Sequence, residues 1–237
     1  MKILVINSNT NKSITDELYR SVTEIAAPGT EVTVVSAEWG VNTIEGACDA
    51  AYGALATIRV FEKNKEDFDA FIIACYSDPG LYACRELTDK PVLGIAQCSM
   101  LAAAALGNRF SILSPLPRMK PALENLVRYY RLEGLCASVR TIEENVINSY
   151  LNRTASNEAF AREGLLAAKE DGAEVLCLGG AVFAGRDKEI SHLTGLPCID
   201  GMSAALKMAE MYVSLGLKTG KNGLFRTAEI KQRLIEI

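Results

Sequence analysis

The chain has 237 residues, 49% of them apolar and 23% charged, with a formal net charge of −4 at pH 7. That length suits one large domain or two lobes of roughly 100 residues, each with its own core. The acidic balance and the scattered basic residues give no electrostatic ground for nucleic acid or an anionic membrane surface as partner.

In chain order, Ile3 to Ile6 reads as a first strand, with Asn7-Ser8-Asn9-Thr10 as its terminal loop. Ser13 can cap a helix running to about Ala26, with Leu18, Val22 and Ile25 on one face. Val32 to Val35 is strand two, and a helix from about Glu45 to Lys63 follows. Phe71 to Ala74 is a short, fully apolar run of the kind found in buried parallel strands. It meets Cys75-Tyr76-Ser77-Asp78-Pro79-Gly80, where Asp78 reads as an N-cap and Pro79 as the first residue of a helix to about Leu87. Pro91 to Ile95 is strand four. The second half repeats this plan. A helix from Ser99 to Leu106 leads to the strand Phe110–Leu113 and the turn Ser114-Pro115-Leu116-Pro117-Arg118. A helix carrying Leu123, Leu126, Val127 and Tyr130 comes next, then the strand Ala137–Ile142. An Asn- and Ser-rich passage from Asn148 to Asn157 precedes a helix to about Lys169. The strand Glu174–Leu178 ends in Gly179-Gly180-Ala181, Pro197 to Asp200 is a last strand, and Ser203 to Leu215 a long helix. The tail from Lys218 holds a Gly-containing loop and a short charged helix.

Alternating strands and helices imply an α/β fold with parallel sheets. Because both halves bring an apolar strand to a turn of small residues, two pseudo-symmetric four-stranded lobes facing one cleft are expected. The first lobe comprises residues 1–97 and about 208–237 and carries Cys75. The second, residues 98–207, carries the Gly179-Gly180 loop. Hinges are expected near 95–99 and 200–208.

Cys75 carries the chemistry in this reading. It falls at the carboxyl end of a strand, where open α/β sheets bind ligands, and ahead of a helix N-terminus that favours a thiolate. The other six cysteines show no C-x-x-C pair, so neither a zinc ribbon nor a thioredoxin-type site is supported. Cys98, Cys177 and Cys198 read as packed core residues. The single histidine, His192, excludes a two-histidine metal site and reads as a helix C-terminal residue outside the chemistry. Asp78 reads as a structural cap. Arg85, one turn into the next helix, either raises the local positive potential or lies on the surface. Arg118 is a candidate for a substrate carboxylate or ureido group. Met1 to Ile6 is too short for a signal core and Met100 to Leu106 for a membrane span, so a cytoplasmic setting is expected. No G-x-G-x-x-G follows the first strand, so the dinucleotide fingerprint is absent.

Five segments together resemble the cofactor-independent aspartate/glutamate racemase superfamily, especially its hydantoin and allantoin racemase branch. They are Ile6-Asn7-Ser8-Asn9-Thr10, Ala74-Cys75-Tyr76-Ser77-Asp78-Pro79-Gly80-Leu81, Pro91-Val92-Leu93-Gly94-Ile95, Leu178-Gly179-Gly180-Ala181 and Pro197-Cys198-Ile199-Asp200-Gly201. The resemblance implies an isomerase without a cofactor that works at a carbon next to a carbonyl of a small molecule, and a homo-oligomer. It makes Cys75 the first of two thiols and puts Asn9, Ser77 and Ser114 on the substrate, with Tyr76 a possible neighbour. The family's second thiol falls on Gly180, which carries no proton. Cys177, three residues earlier, points to the opposite face of its strand. Four readings follow: a racemase whose second face is served by another group or water; a decarboxylase, lyase or covalent isomerase or hydrolase using Cys75 alone, with Gly179-Gly180 holding an oxyanion; a binding protein without chemistry; and a dinucleotide-binding protein, which the missing fingerprint disfavours.

Overall fold

The computed structural model describes residues 1–144 and 146–227, and its strands sort into two parallel sheets of four. The first holds β1 (Lys2–Asn7), β2 (Glu31–Ser36), β3 (Ala70–Ile73) and β4 (Val92–Gly94) in the order β2-β1-β3-β4. The second holds β5 (Phe110–Ser114), β6 (Cys136–Thr141), β7 (Val175–Leu178) and β8 (Cys198–Asp200) in the order β6-β5-β7-β8. The second half therefore repeats the first strand for strand. The crossovers are α1 (Lys12–Ile25), α2 (Ala47–Asn64) and α3 (Leu81–Leu87) in the first half. In the second they are α5 (Lys120–Tyr129), α6 (Val146–Leu151), α7 (Arg153–Leu166) and α8 (Asp187–Thr194), while α4 (Ile95–Leu106) and α9 (Gly201–Ser214) link the two sheets. Among the described residues no helix is long and apolar enough to cross a membrane.

The alternation of side chains along each strand explains the layers. Ile3, Val5 and Ile72 face the main core with Ile14, Leu18 and Val22 of α1. Leu4, Ile6, Phe71 and Ile73 face the other way, into a second cluster with Phe61, Leu81 and Cys84. Each such fully buried aliphatic or aromatic side chain stabilises the fold by roughly 1.5–3 kcal/mol. The main core continues without a break into Phe110, Ile112, Leu176 and Cys177 of the second sheet, so the lobes share one interior. Helix α9 is unbroken through residues 207 and 208, where a lobe boundary was expected. A Cβ on Gly201 would lie 2.5 Å from Ile95 O; this glycine lets the starts of α9 and α4 meet.

Several local expectations are corrected. Asn11, not Ser13, caps α1, its side-chain oxygen accepting from Ser13 N and Ile14 N. The Asn- and Ser-rich passage is helical, because Ser156, Asn157, Phe160 and Gly164 recur on the buried side of α7. The backbone then widens at Ala167–Asp171 and stops at Gly172 with φ +75°. Asp78 does not cap α3, which starts at Leu81 after Gly80 in the left-handed region. Pro79 is accordingly not its first residue. The charged helix expected in the tail lies outside the described residues.

Candidate active site

In each sheet the chain order reverses between the first and third strands, and ligands of open α/β sheets bind beyond the strand ends at such points. Here the loops after β1, β3, β5 and β7 converge from the two lobes on one cavity of about 70 Å³. That is room for one small molecule. Asn9, Cys75, Ser77, Ser114, Gly179 and Gly180 all line it, joined by Tyr76 and by apolar walls from Leu116, Met119 and Val182. Cys75 lies two residues past the end of β3, and Gly180 two residues past the end of β7. The internal repeat thus makes them counterparts.

Cys75 is half-buried, with its Sγ 3.4 Å from Ser77 Oγ. Burial pushes its thiol above the ordinary range; the hydroxyl and N–H of Ser77 pull it part of the way back, and the negative charge of Asp78 adds to the rise. The expected thiolate is therefore corrected to a resting thiol. The reason is burial, which outweighs the hydrogen bonds from Ser77; α3 begins at Leu81, two residues later than expected.

Asp78 instead fixes the loop from behind. Its carboxylate accepts from Ala96 N at 3.0 Å and Gln97 N at 2.9 Å, in the first turn of α4. It also accepts the Tyr130 hydroxyl at 2.7 Å, which ties the Cys75 loop to the end of α5 in the other lobe. Asp78 itself has φ +44°. Burial raises its pKa to about 6 despite these three donors. Tyr76 is pinned likewise, with its hydroxyl 2.7 Å from Ser99 Oγ. Burial raises that phenol far above its ordinary range, and its hydrogen bond with Ser99 anchors the loop.

The β1 loop presents Asn9. Its side-chain oxygen accepts from Asn7 Nδ2 at 3.0 Å and from Asn11 N at 2.9 Å. Its Nδ2 has no acceptor among the described residues, which leaves a donor for a substrate oxygen. In the second lobe Gly179 N donates to Leu113 O at 2.7 Å. The next three amides, Gly180 to Val182, have no acceptor among the described residues. Ser114 is the buried last residue of β5.

Other candidates lie elsewhere. Cys177 is fully buried and donates to Ser99 O at 3.6 Å, with its thiol raised by burial. Cys98 is also buried, and Cys198 is half-buried on the edge strand β8. Arg118 is exposed and does not line the cavity; its Nη2 lies beside Gly46 at the start of α2. Arg85 donates to Val92 O at 2.9 Å and Gln97 Oε1 at 2.7 Å, a structural role. His192 is exposed in the last turn of α8. Among the described residues no group of three or more His, Cys, Asp or Glu side chains could hold a metal ion. Sequence reasoning missed Thr43 and Ile44, which reach the cavity from the segment between β2 and α2. It also missed Asn7 and Asn11, whose only signal was the run of asparagines around Asn9.

A sequence model of Asp/Glu/Hydantoin racemase matches residues 3–209. The chain is 38% identical to a hydantoin racemase of Pseudomonas sp. (strain NS671) over 233 residues, covering 98% of this chain and 94% of the relative. Its fold matches an allantoin racemase from Pseudomonas fluorescens with TM-score 0.95 and 35% identity, covering 99% and 100% of the two chains. An allantoin racemase from Klebsiella pneumoniae matches with TM-score 0.93 and 35% identity, covering 98% and 95%. With its two repeated sheets, its Cys75 loop and a match over nearly its whole length, the chain belongs to the Asp/Glu/hydantoin racemase family.

Proposed function

We propose that this protein is a cofactor-independent racemase of a small cyclic ureide, a 5-substituted hydantoin or allantoin, with Cys75 as the acid/base on one face of the reacting carbon. The observation that carries the reading is that Cys75 and its bare counterpart Gly180 line the same small cavity. The names and high identity of the hydantoin and allantoin racemases above support the substrate class.

Proton abstraction next to a carbonyl leaves the electron pair of the broken C–H bond on the carbonyl oxygen as an enolate. Cys75, once deprotonated, takes that proton and can return it to the same face. Delivery to the opposite face inverts the carbon, and a water against the Gly179-Gly180 backbone serves there. Asn9 Nδ2 and the open amides of Gly180 to Val182 supply donors for the oxygen on which charge builds. Ser77 and Ser114 orient the ring. The test is NMR with polarimetry in D₂O on enantiopure 5-methylhydantoin and allantoin. Deuterium uptake with loss of optical rotation supports a racemase. Uptake with retained rotation means one-sided proton transfer, and neither change in a protein that binds the compound defeats the proposal.

A further inference from the structure

The backbone at Gly180 is extended, with φ −177° and ψ 142°, a conformation open to any residue. Space, not strain, calls for glycine. A Cβ there would come within 2.8 Å of Phe183 Cε2 and 2.9 Å of its Cδ2. Non-bonded carbons prefer 3.5–4.0 Å. The ring has no room to swing aside. It is fully buried and packs edge-on against Phe160, with centroids 4.6 Å apart. The Arg186 guanidinium lies over it at 5.2 Å, and that buried side chain is held by Ser149 O at 3.0 Å and Asn157 Oδ1 at 3.4 Å.

We infer that Phe183, wedged between Phe160 and Arg186, holds position 180 to glycine and so keeps the second lobe from presenting a side-chain acid or base to the cavity. Phe183 thus acts as a positioning residue through position 180, although it does not line the cavity itself. Its catalytic consequence rests on the reading that Cys75 and position 180 flank the reacting carbon. A thiol at 180 becomes compatible with the fold only when the side chain at 183 is cut back.

The test is a double-mutant cycle of Gly180→Cys, Phe183→Leu and their combination. Overpacking in the first and a void in the second each lower Tm by about 3–10 °C. In the combination the losses do not add: it melts at least about 3 °C above the sum of the single effects. Additive losses, or Gly180→Cys as stable as the parent, overturn the inference. If Gly180→Cys does not fold, the same cycle with Gly180→Ala gives the comparison. On enantiopure 5-methylhydantoin the combination racemises at least about tenfold faster than Gly180→Cys, as a second positioned acid should. Coupled melting without that gain upholds the role of Phe183 and counts instead against the placement of position 180 opposite the reacting carbon.

Discussion

Asp78 is a buried carboxylate with three donors and no cation bonded to it, and its titration is measurable as stability. Its pKa stands at about 6 in the folded chain against an ordinary 3.8, because the loss of water outweighs the donors and the nearby Arg85. Between these values the folded protein binds a proton that the unfolded chain does not. Stability from this group is therefore fully present below about pH 4 and is lost as pH rises through about 6. At about 1.4 kcal/mol per unit the whole effect is roughly 3 kcal/mol, of which roughly 2 kcal/mol is realised at pH 4.5. Asp78→Asn removes the titration, and its lost hydrogen bonds are a constant cost that cancels across pH. Urea unfolding of both proteins at pH 4.5 and 7.5 isolates the group from other carboxylates such as Asp171, whose pKa its Arg140 partner lowers. The stability difference should shift in the parent's favour by about 2 kcal/mol on acidification. A flat difference, or a shift the other way, would mean that the donors win and that Asp78 is an ordinary ionised cap.

Other substitutions separate the parts of the site. Cys75→Ser should lower kcat by at least about 10³-fold with little change in Tm, since a hydroxyl is too weak an acid to replace the thiol; residual turnover within tenfold of the parent would remove Cys75 from the chemistry. In the parent, kcat/KM should rise about tenfold per pH unit through pH 8, because the resting thiol lies above its ordinary range and the thiolate is the base. Asn9→Asp keeps the acceptor for Asn7 and Asn11 but exchanges the free donor for a charge. It should cut kcat/KM by about 10–100-fold, beyond the modest loss of stability expected from a buried carboxylate, and an unchanged value would place the substrate oxygen elsewhere. Cys177→Ala should cost about 1 kcal/mol of stability from its buried strand position while kcat stays within about twofold; a large loss of kcat would make Cys177 the missing second thiol.

The strand plan and the Cys75 loop were legible because parallel strands buried on both faces are short apolar runs, and their ends meet turns of small residues. The same signal matched the Cys75-Tyr76-Ser77 turn to the Gly179-Gly180-Ala181 turn, and the family resemblance singled out Gly180 within it. What escaped the sequence depends on partners far along the chain. Asp78 looks like a cap for the helix that follows it, yet its acceptors serve α4, eighteen and nineteen residues on, and Tyr130, fifty-two residues on. The protonation of Cys75 follows from burial beside that carboxylate, which no local motif announces. Gly180 reads as a missing thiol; that Phe183 occupies the space beside it appears only in three dimensions. The asparagine-rich stretch before α7 looks like a loop by composition, but its small polar residues pack inward on a helix.

In the mechanism proposed above, Cys75 is the one side-chain acid/base among the described residues and acts on one face of the reacting carbon. Initial rates of deuterium exchange and of racemisation, measured separately for each enantiomer of 5-methylhydantoin in D₂O, test it directly. A thiol on one face and a water on the other are unlike proton carriers, so the two enantiomers should show clearly different exchange-to-inversion ratios. Equal exchange-to-inversion ratios for the two enantiomers would contradict it and require a second acid/base of equal standing on the opposite wall.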